Sequence, residues 1–230
     1  NKNKQEILDV NSYYIDKCRM MLFDINRFNP DIETKIINGS MINNNNYNLI
    51  KNNSVGITIF SPPYANCFDY CEVYKMEIWM GEFVFSYDDF WKYRSIAVRS
   101  HVNAKFDHTI KNSNNSVNVI ADLISCFNVW NKNIPDMVRG YFDDMANFFI
   151  KFKEIMIPGS KCYIVVANSG YRGVIVPTDL LLAEVAEKLG MEVEKIVYAR
   201  KIRASSQQME ELHNDYENLM RESVITLQVR

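Results

Sequence analysis

The chain has 230 residues, 47% of them hydrophobic, and a formal net charge of −2. That is enough apolar material for one large globular domain with its own core, while the near-neutral balance excludes a globally basic nucleic-acid binder, so any such contact has to come from a local patch. No apolar run approaches the roughly 20 residues of a membrane span, and five cysteines without a signal peptide point to a reduced, cytoplasmic protein.

In chain order, Ile7, Val10, Tyr14, Cys18, Met21, Leu22 and Ile25 recur at helical spacing and predict a helix over 5–27, stopped by Asn29-Pro30. A short strand is expected at 34–38, closed by Gly39-Ser40. Asn43 to Asn46 reads as a low-complexity loop. The run Val55 to Phe60 is continuous, β-branched and short, as in a strand buried in a parallel sheet. Helices follow at 69–80, closed by Gly81, and from the acidic cap Tyr87-Asp88-Asp89 to about Ile96. Residues 99–115 lose apolar periodicity and form a long, partly basic loop, a kind that is usually functional or disordered. Helical stretches at 116–131 and 136–157 come next, the second with a core stripe of Phe142, Met145, Phe149, Phe152 and Met156. Strands are expected at 162–167, 193–199 and 223–229, with an amphipathic helix over 177–189 and a polar helix over 207–220. Strand–loop–helix units in succession make the class α/β with a mainly parallel sheet.

The strand at 55–60 ends abruptly in Ser61-Pro62-Pro63-Tyr64. The prolines cannot extend a ladder and stiffen the loop around them. The loop thus stands at the carboxyl end of a strand, where open α/β sheets bind ligands. It presents a hydroxyl, backbone carbonyls and an aromatic face, a set suited to a planar base with an exocyclic amine. An ordinary loop after a strand is the bland alternative. Cys67 and Cys71 lie four apart, but no second Cys or His pair completes a zinc set, so buried thiols and no metal are expected. The histidines have no Ser or Cys partner at a spacing that would mark a hydrolase triad.

Ser61 to Gly81, SPPYANCFDYCEVYKMEIWMG, resembles the catalytic motif and following helix of the DNA amino-methyltransferases that use S-adenosylmethionine. The likeness continues at 159–208, through the strand 162–167, the loop NSGYRG and VYARKIRASSQQM, and is faint before residue 50. It implies a Rossmann-like class I methyltransferase sheet with an antiparallel last strand and helices on both faces. It implies catalytic roles for Ser61, Pro62, Pro63 and Tyr64, cofactor contacts from Asn38, Gly39, Ser40 and Ser61, and double-stranded DNA as partner in a restriction-modification setting. The Ser-Pro-Pro-Tyr form favours N4 of cytosine over N6 of adenine. The resemblance divides the chain into a first core part (1–85), a helical and loop insertion for target recognition (86–157) and a second core part (158–230). DNA contacts are expected from Arg94, Arg99, His101, Lys105 and Lys111 around the polar loop and from Arg172, with Arg200, Lys201 and Arg203 as a second basic edge. Asp69 is expected as a helix cap or a base contact.

One part of the pattern is missing. The Gly-rich turn that cradles the cofactor has no counterpart: of the eight glycines, no two are separated by a single residue. The first residue is Asn, and the first strands are expected upstream or on another chain. An RNA methyltransferase with the same loop, and a non-catalytic DNA-binding subunit of a methyltransferase pair, are the alternative readings.

Overall fold

The computed structural model describes residues 9–27, 33–104, 114–202 and 218–230. Contacts divide the chain into two units, Asn1–Ile37 and Asn38–Arg230. The first holds helix α1, Val10–Arg27, in which no residue is buried; Tyr14, Met21, Leu22 and Ile25 keep their apolar surface exposed. Residues 34–38, expected as a strand, form none. A ladder needs an adjacent strand edge, and Ile36 stands exposed without one.

The second unit is built on a four-stranded sheet. Its strands are β1 (Val55–Phe60), β2 (Met156–Ala167), β5 (Met191–Lys201) and β6 (Arg221–Val229), in the order β1-β2-β6-β5. β1 and β2 pair in parallel, with Ile59 opposite Tyr163, and β6 runs antiparallel to both its neighbours. The expected antiparallel last strand is therefore present, but inserted between two strands of the opposite direction. The loop after β2 holds a small hairpin, β3 (Ser169–Tyr171) and β4 (Val174–Val176). Its two-residue turn has positive φ at Arg172 (48°) and Gly173 (79°), as a tight hairpin of this twist requires.

Helix α6, Ile134–Ile155, is the crossover from β1 to β2, and α7, Thr178–Lys188, the crossover from β2 to β5. Both steps move across the sheet in the same direction, so right-handed connections place both helices on the same face. The predicted stripe of α6 is buried there against Cys162, Ile164, Val166, Ile225 and Leu227. Phe60 meets Phe148 edge-on, with ring centroids 5.1 Å apart. Each such side chain contributes about 1.5–3 kcal/mol by leaving water. α6 lies within the expected 86–157 insertion but belongs to the sheet's own core, and the contacts divide the chain at neither 85 nor 157.

The other face differs from the expectation of helices on both sides. Ile57 and Ile59 of β1 are 60% and 71% exposed, and Val197 of β5 is exposed too. Among the described residues β1 has no ladder partner on its outer edge. The same residues include no helix long and apolar enough to cross a membrane.

Between β1 and α6 in the chain come α2 (Tyr70–Val73), α3 (Lys75–Met80), α4 (Tyr87–Ser95) and α5 (Asn115–Ser125). Each is cut short by local chemistry. Tyr74 interrupts the predicted 69–80 helix, and Ser86 caps α4 by accepting from the Asp89 amide, a role expected of the residues just after it. Cys71, Ile78, Val84 and Phe90 form a small second core under these helices.

Candidate active site

The loop that leaves β1 is held at several points along its length. Ser61 is exposed, Pro62 is buried, and Tyr64 is half-buried. The Tyr64 hydroxyl donates to Glu222 Oε1 at 2.7 Å. Glu222 is the second residue of β6, opposite Ala167 at the end of β2 and Arg200 near the end of β5. Arg200 donates to the same carboxylate from Nε at 2.6 Å and Nη2 at 3.2 Å. Next in the loop, the Ala65 carbonyl accepts from Ser169 Oγ at 2.6 Å and from the Tyr171 hydroxyl at 2.7 Å. Tyr171 also lies 3.4 Å from Cys67 Sγ. Cys67 itself has φ 63°, a left-handed bend that turns the chain toward α2.

Burial raises the pKa of Tyr64, and the bond to Glu222 raises it further, so its hydroxyl stays a donor. Glu222 is held below the usual carboxylate range by Arg200 and then by Tyr64. Burial pushes the Cys67 thiol up to about 11. It is a packed thiol and not an activated nucleophile. Cys71 is buried as expected. Among the described residues no three His, Cys, Asp or Glu side chains are grouped as metal ligands.

Asp69 caps α2, its Oδ1 accepting from the Glu72 amide at 3.3 Å. Its other oxygen pairs with Arg94, which also reaches Glu72 Oε1 at 3.4 Å. Arg94 is only 5% exposed and lies over the Trp91 ring. His101, 3% exposed, has its Nδ1 3.5 Å from Asp69 Oδ2. Burial and the neighbouring Arg94 charge pull its pKa down to about 4, so the ring is neutral at neutral pH.

Three of the expected DNA contacts are therefore corrected. Arg94 and His101 are interior, and Arg99 is bound by two carboxylates of α6. Its Nη2 lies 3.0 Å from Asp143 and 2.7 Å from Asp144. A phosphate would have to displace buried carboxylates from guanidinium groups already satisfied. Lys105, Lys111 and Arg203 lie outside the described residues. Arg172 occupies the hairpin turn and donates from Nε to the Asn128 carbonyl at 3.0 Å.

Gly39 and Ser40 are engaged by other residues of the chain, and Asn38 is exposed. Ser40 Oγ donates to the Ile96 carbonyl at 2.7 Å, and Asn46 Nδ2 to the Ser40 carbonyl at 2.8 Å. The Asn46 amide fills the space beside Gly39, where an added Cβ would lie 2.3 Å from it.

Sequence reasoning missed Glu222 and the donors Ser169 and Tyr171, which carry no local signal. It also missed Asp179, wholly buried at the start of α7. There Arg221 Nε and Ser223 Oγ each donate to its Oδ2 at 2.8 Å, and its amide donates to Asn168 Oδ1 at 3.1 Å. This bolts α7 and β6 to the end of β2, beside the loop.

No family model matches the chain. Type II methyltransferase M.AvaI, from Nostoc sp. and from Anabaena variabilis, is 29% identical over 155 residues, covering 60% of this chain and 31% of that protein. Type II methyltransferase M.BsoBI of Geobacillus stearothermophilus is 28% identical over 184 residues, covering 70% of this chain and 36% of that protein. The chain thus spans about a third of the length of the curated relatives it matches. Among solved structures, a protein of Thermus thermophilus named as a candidate DNA modification methylase covers 83% of this chain and 50% of its own at 13% identity, with a TM-score of 0.37. At that score the superposition carries no argument. By sequence, then, the chain is similar to Type II methyltransferases over 60–70% of its length.

Proposed function

We propose that this chain supplies the base-side half of a DNA amino-methyltransferase active site, acting in restriction-modification, with N4 of cytosine as the acceptor. The observation that carries the reading is the Ser61–Tyr64 loop, placed at the carboxyl end of a parallel strand with its aromatic ring anchored by Glu222. An exocyclic amine is a poor nucleophile because its lone pair is conjugated into the ring. Hydrogen bonds from the NH2 to Ser61 Oγ and to the Pro62 carbonyl would localise that lone pair and stabilise the positive charge that develops on nitrogen. Stacking on Tyr64 would hold a base that has left the duplex. Most of the acceleration would come from positioning. S-adenosylmethionine would supply the methyl group on a sulfonium. The test is nucleoside mass spectrometry of DNA treated with the longer polypeptide that contains this chain. N4-methylcytosine is the expected product; N6-methyladenine would move the acceptor, and methylation of RNA alone would refute the reading.

The described residues do not fit the cofactor's methionine end. No Gly-rich turn is present, and Gly39 and Ser40 are occupied with Asn46 and Ile96. What supports a cradle from elsewhere is the sheet itself. Among the described residues the outer edge of β1 lacks a ladder partner, and on that strand Ile57 and Ile59 expose apolar side chains. Both features are unfavourable in water and suit a covering strand and helix. The relatives extend well beyond the matched segment, which covers 31% of M.AvaI, and offer such a segment; the proposed occupant is a strand–Gly-rich turn–helix of a longer polypeptide. Calorimetry is expected to find S-adenosylmethionine binding weak or absent with residues 1–230 and present with the longer polypeptide. Micromolar binding to residues 1–230 alone would place the cradle within this chain and refute the proposal, and binding restored only by a second chain would refute its single-polypeptide form.

A further inference from the structure

We propose that Glu222 is a positioning residue that fixes where the Tyr64 ring points, with Arg200 as its brace, so that the start of β6 controls how the site grips a base. The inference rests on the proposed reading of Tyr64 as the stacking residue.

Glu222 is an expensive residue to place here. Its side chain is 12% exposed, in a strand whose neighbours on the same face include Val224. A carboxylate withdrawn from water loses hydration that partners must replace. Arg200 alone is a weak reason for it, because that guanidinium is 71% exposed and an exposed ion pair contributes little. The second partner is the Tyr64 hydroxyl, 158 residues earlier in the chain. Arg200 grips the carboxylate with two donors and fixes its orientation; the free acceptor capacity of Oε1 then receives the phenol.

The consequence is geometric. A tyrosine ring on a loop can swing about two side-chain torsions, and stacking would have to overcome that freedom. Tying the hydroxyl restrains the torsion that swings the ring, and the half-exposed ring keeps a face for a partner. The backbone just beyond is held separately by Ser169 and Tyr171 through the Ala65 carbonyl. The hydroxyl therefore works through ring orientation and never touches the base, which is why tyrosine and not phenylalanine serves here.

The experiment is a double-mutant cycle in the longer polypeptide, read as kcat/KM for methyl transfer into DNA. Glu222→Ala and Tyr64→Phe should each lower kcat/KM about tenfold, the scale of one hydrogen bond to a charged acceptor. The double variant should lose clearly less than the product of the two single losses, since both remove the Tyr64–Glu222 contact. Tyr64→Phe also removes a hydrogen bond with Ser61, and Glu222→Ala a partner of Arg200. Glu222→Gln keeps an acceptor oxygen and should stay within about threefold of the parent. Losses that multiply in the double variant, or a Gln variant as impaired as the Ala variant, would overturn the proposal. If Glu222→Ala fails to fold, Glu222→Leu takes its place, filling the volume without an acceptor. A readout independent of activity is the 13Cζ resonance of Tyr64, assigned by its loss in Tyr64→Phe. It should shift in Glu222→Ala and far less in Glu222→Gln, and an unmoved resonance in Glu222→Ala overturns the proposal. Should the polypeptide methylate nothing, the proposed function fails, and this resonance still decides whether Glu222 holds the ring.

Discussion

Arg99→Ala is expected to destabilise the fold by about 3–5 kcal/mol, the usual cost of removing one partner from a buried ion pair. Arg99 ties the segment after α4 to the middle of α6. Its amide donates to Asp144 Oδ2 at 2.8 Å, its Nε to Asp144 Oδ1 at 3.0 Å, and its Nη2 to both Asp143 and Asp144. The guanidinium stem lies across Gly140, where an added Cβ would sit 3.0 Å from Cδ, so the helix is shaped to receive it. Truncation would leave two adjacent carboxylates buried in α6 without the cation between them. Burial already raises the pKa of Asp144, against the pull of Arg99. Without Arg99 that pull is lost, and the carboxylate would take up a proton or draw water into the core. Urea unfolding measures the effect as a lower midpoint at unchanged slope. Arg99→Lys should recover part of it, keeping the charge but not the fork. Unaltered stability together with weaker DNA binding would show that Arg99 contacts phosphate after all.

Tyr64→Ala is expected to lower methyl transfer by the longer polypeptide by about 1–3 kcal/mol, or roughly five- to 150-fold, the range for losing one base–aromatic stack. The loop itself should survive. Its backbone is held at Ala65 by Ser169 and Tyr171, and the Asp69 side chain is held by Arg94, none of which involves the Tyr64 ring. Glu222 keeps its Arg200 partner. The variant therefore separates site chemistry from folding: steady-state transfer falls while the unfolding midpoint moves little. Transfer at the parent rate would remove Tyr64 from the site, and with it the stacking role on which the function was argued.

The two variants also show where sequence and structure divide the work. Both residues were singled out from the sequence, one correctly placed in a loop at a strand end and the other assigned to solvent and phosphate. Tyr64 was legible because its setting is local. A β-branched run followed by two prolines has few ways to fold, and the loop follows from backbone restrictions within ten residues. Arg99 was not, because a cation in a polar stretch looks the same whether it meets water or a pair of carboxylates 44 and 45 residues further on.

The sequence by itself determined the strands at β1, β2, β5 and β6, the buried stripe of α6, the crossover helix α7 and the position of the Ser61–Tyr64 loop. These depend on periodicity and on proline and glycine, which act over a few residues. Only the tertiary structure decided which polar groups meet. It paired Tyr64 with Glu222, the Ala65 carbonyl with Ser169 and Tyr171, and Arg94 and Arg99 with interior acids. It also withheld a ladder from residues 34–38 and, among the described residues, left Ile57 and Ile59 of β1 exposed. The physical reason is common to all of these. Apolar burial is non-directional and can be read from pattern, whereas a hydrogen bond or ion pair needs two groups within about 3 Å, a distance set by the packing of elements far apart in the chain.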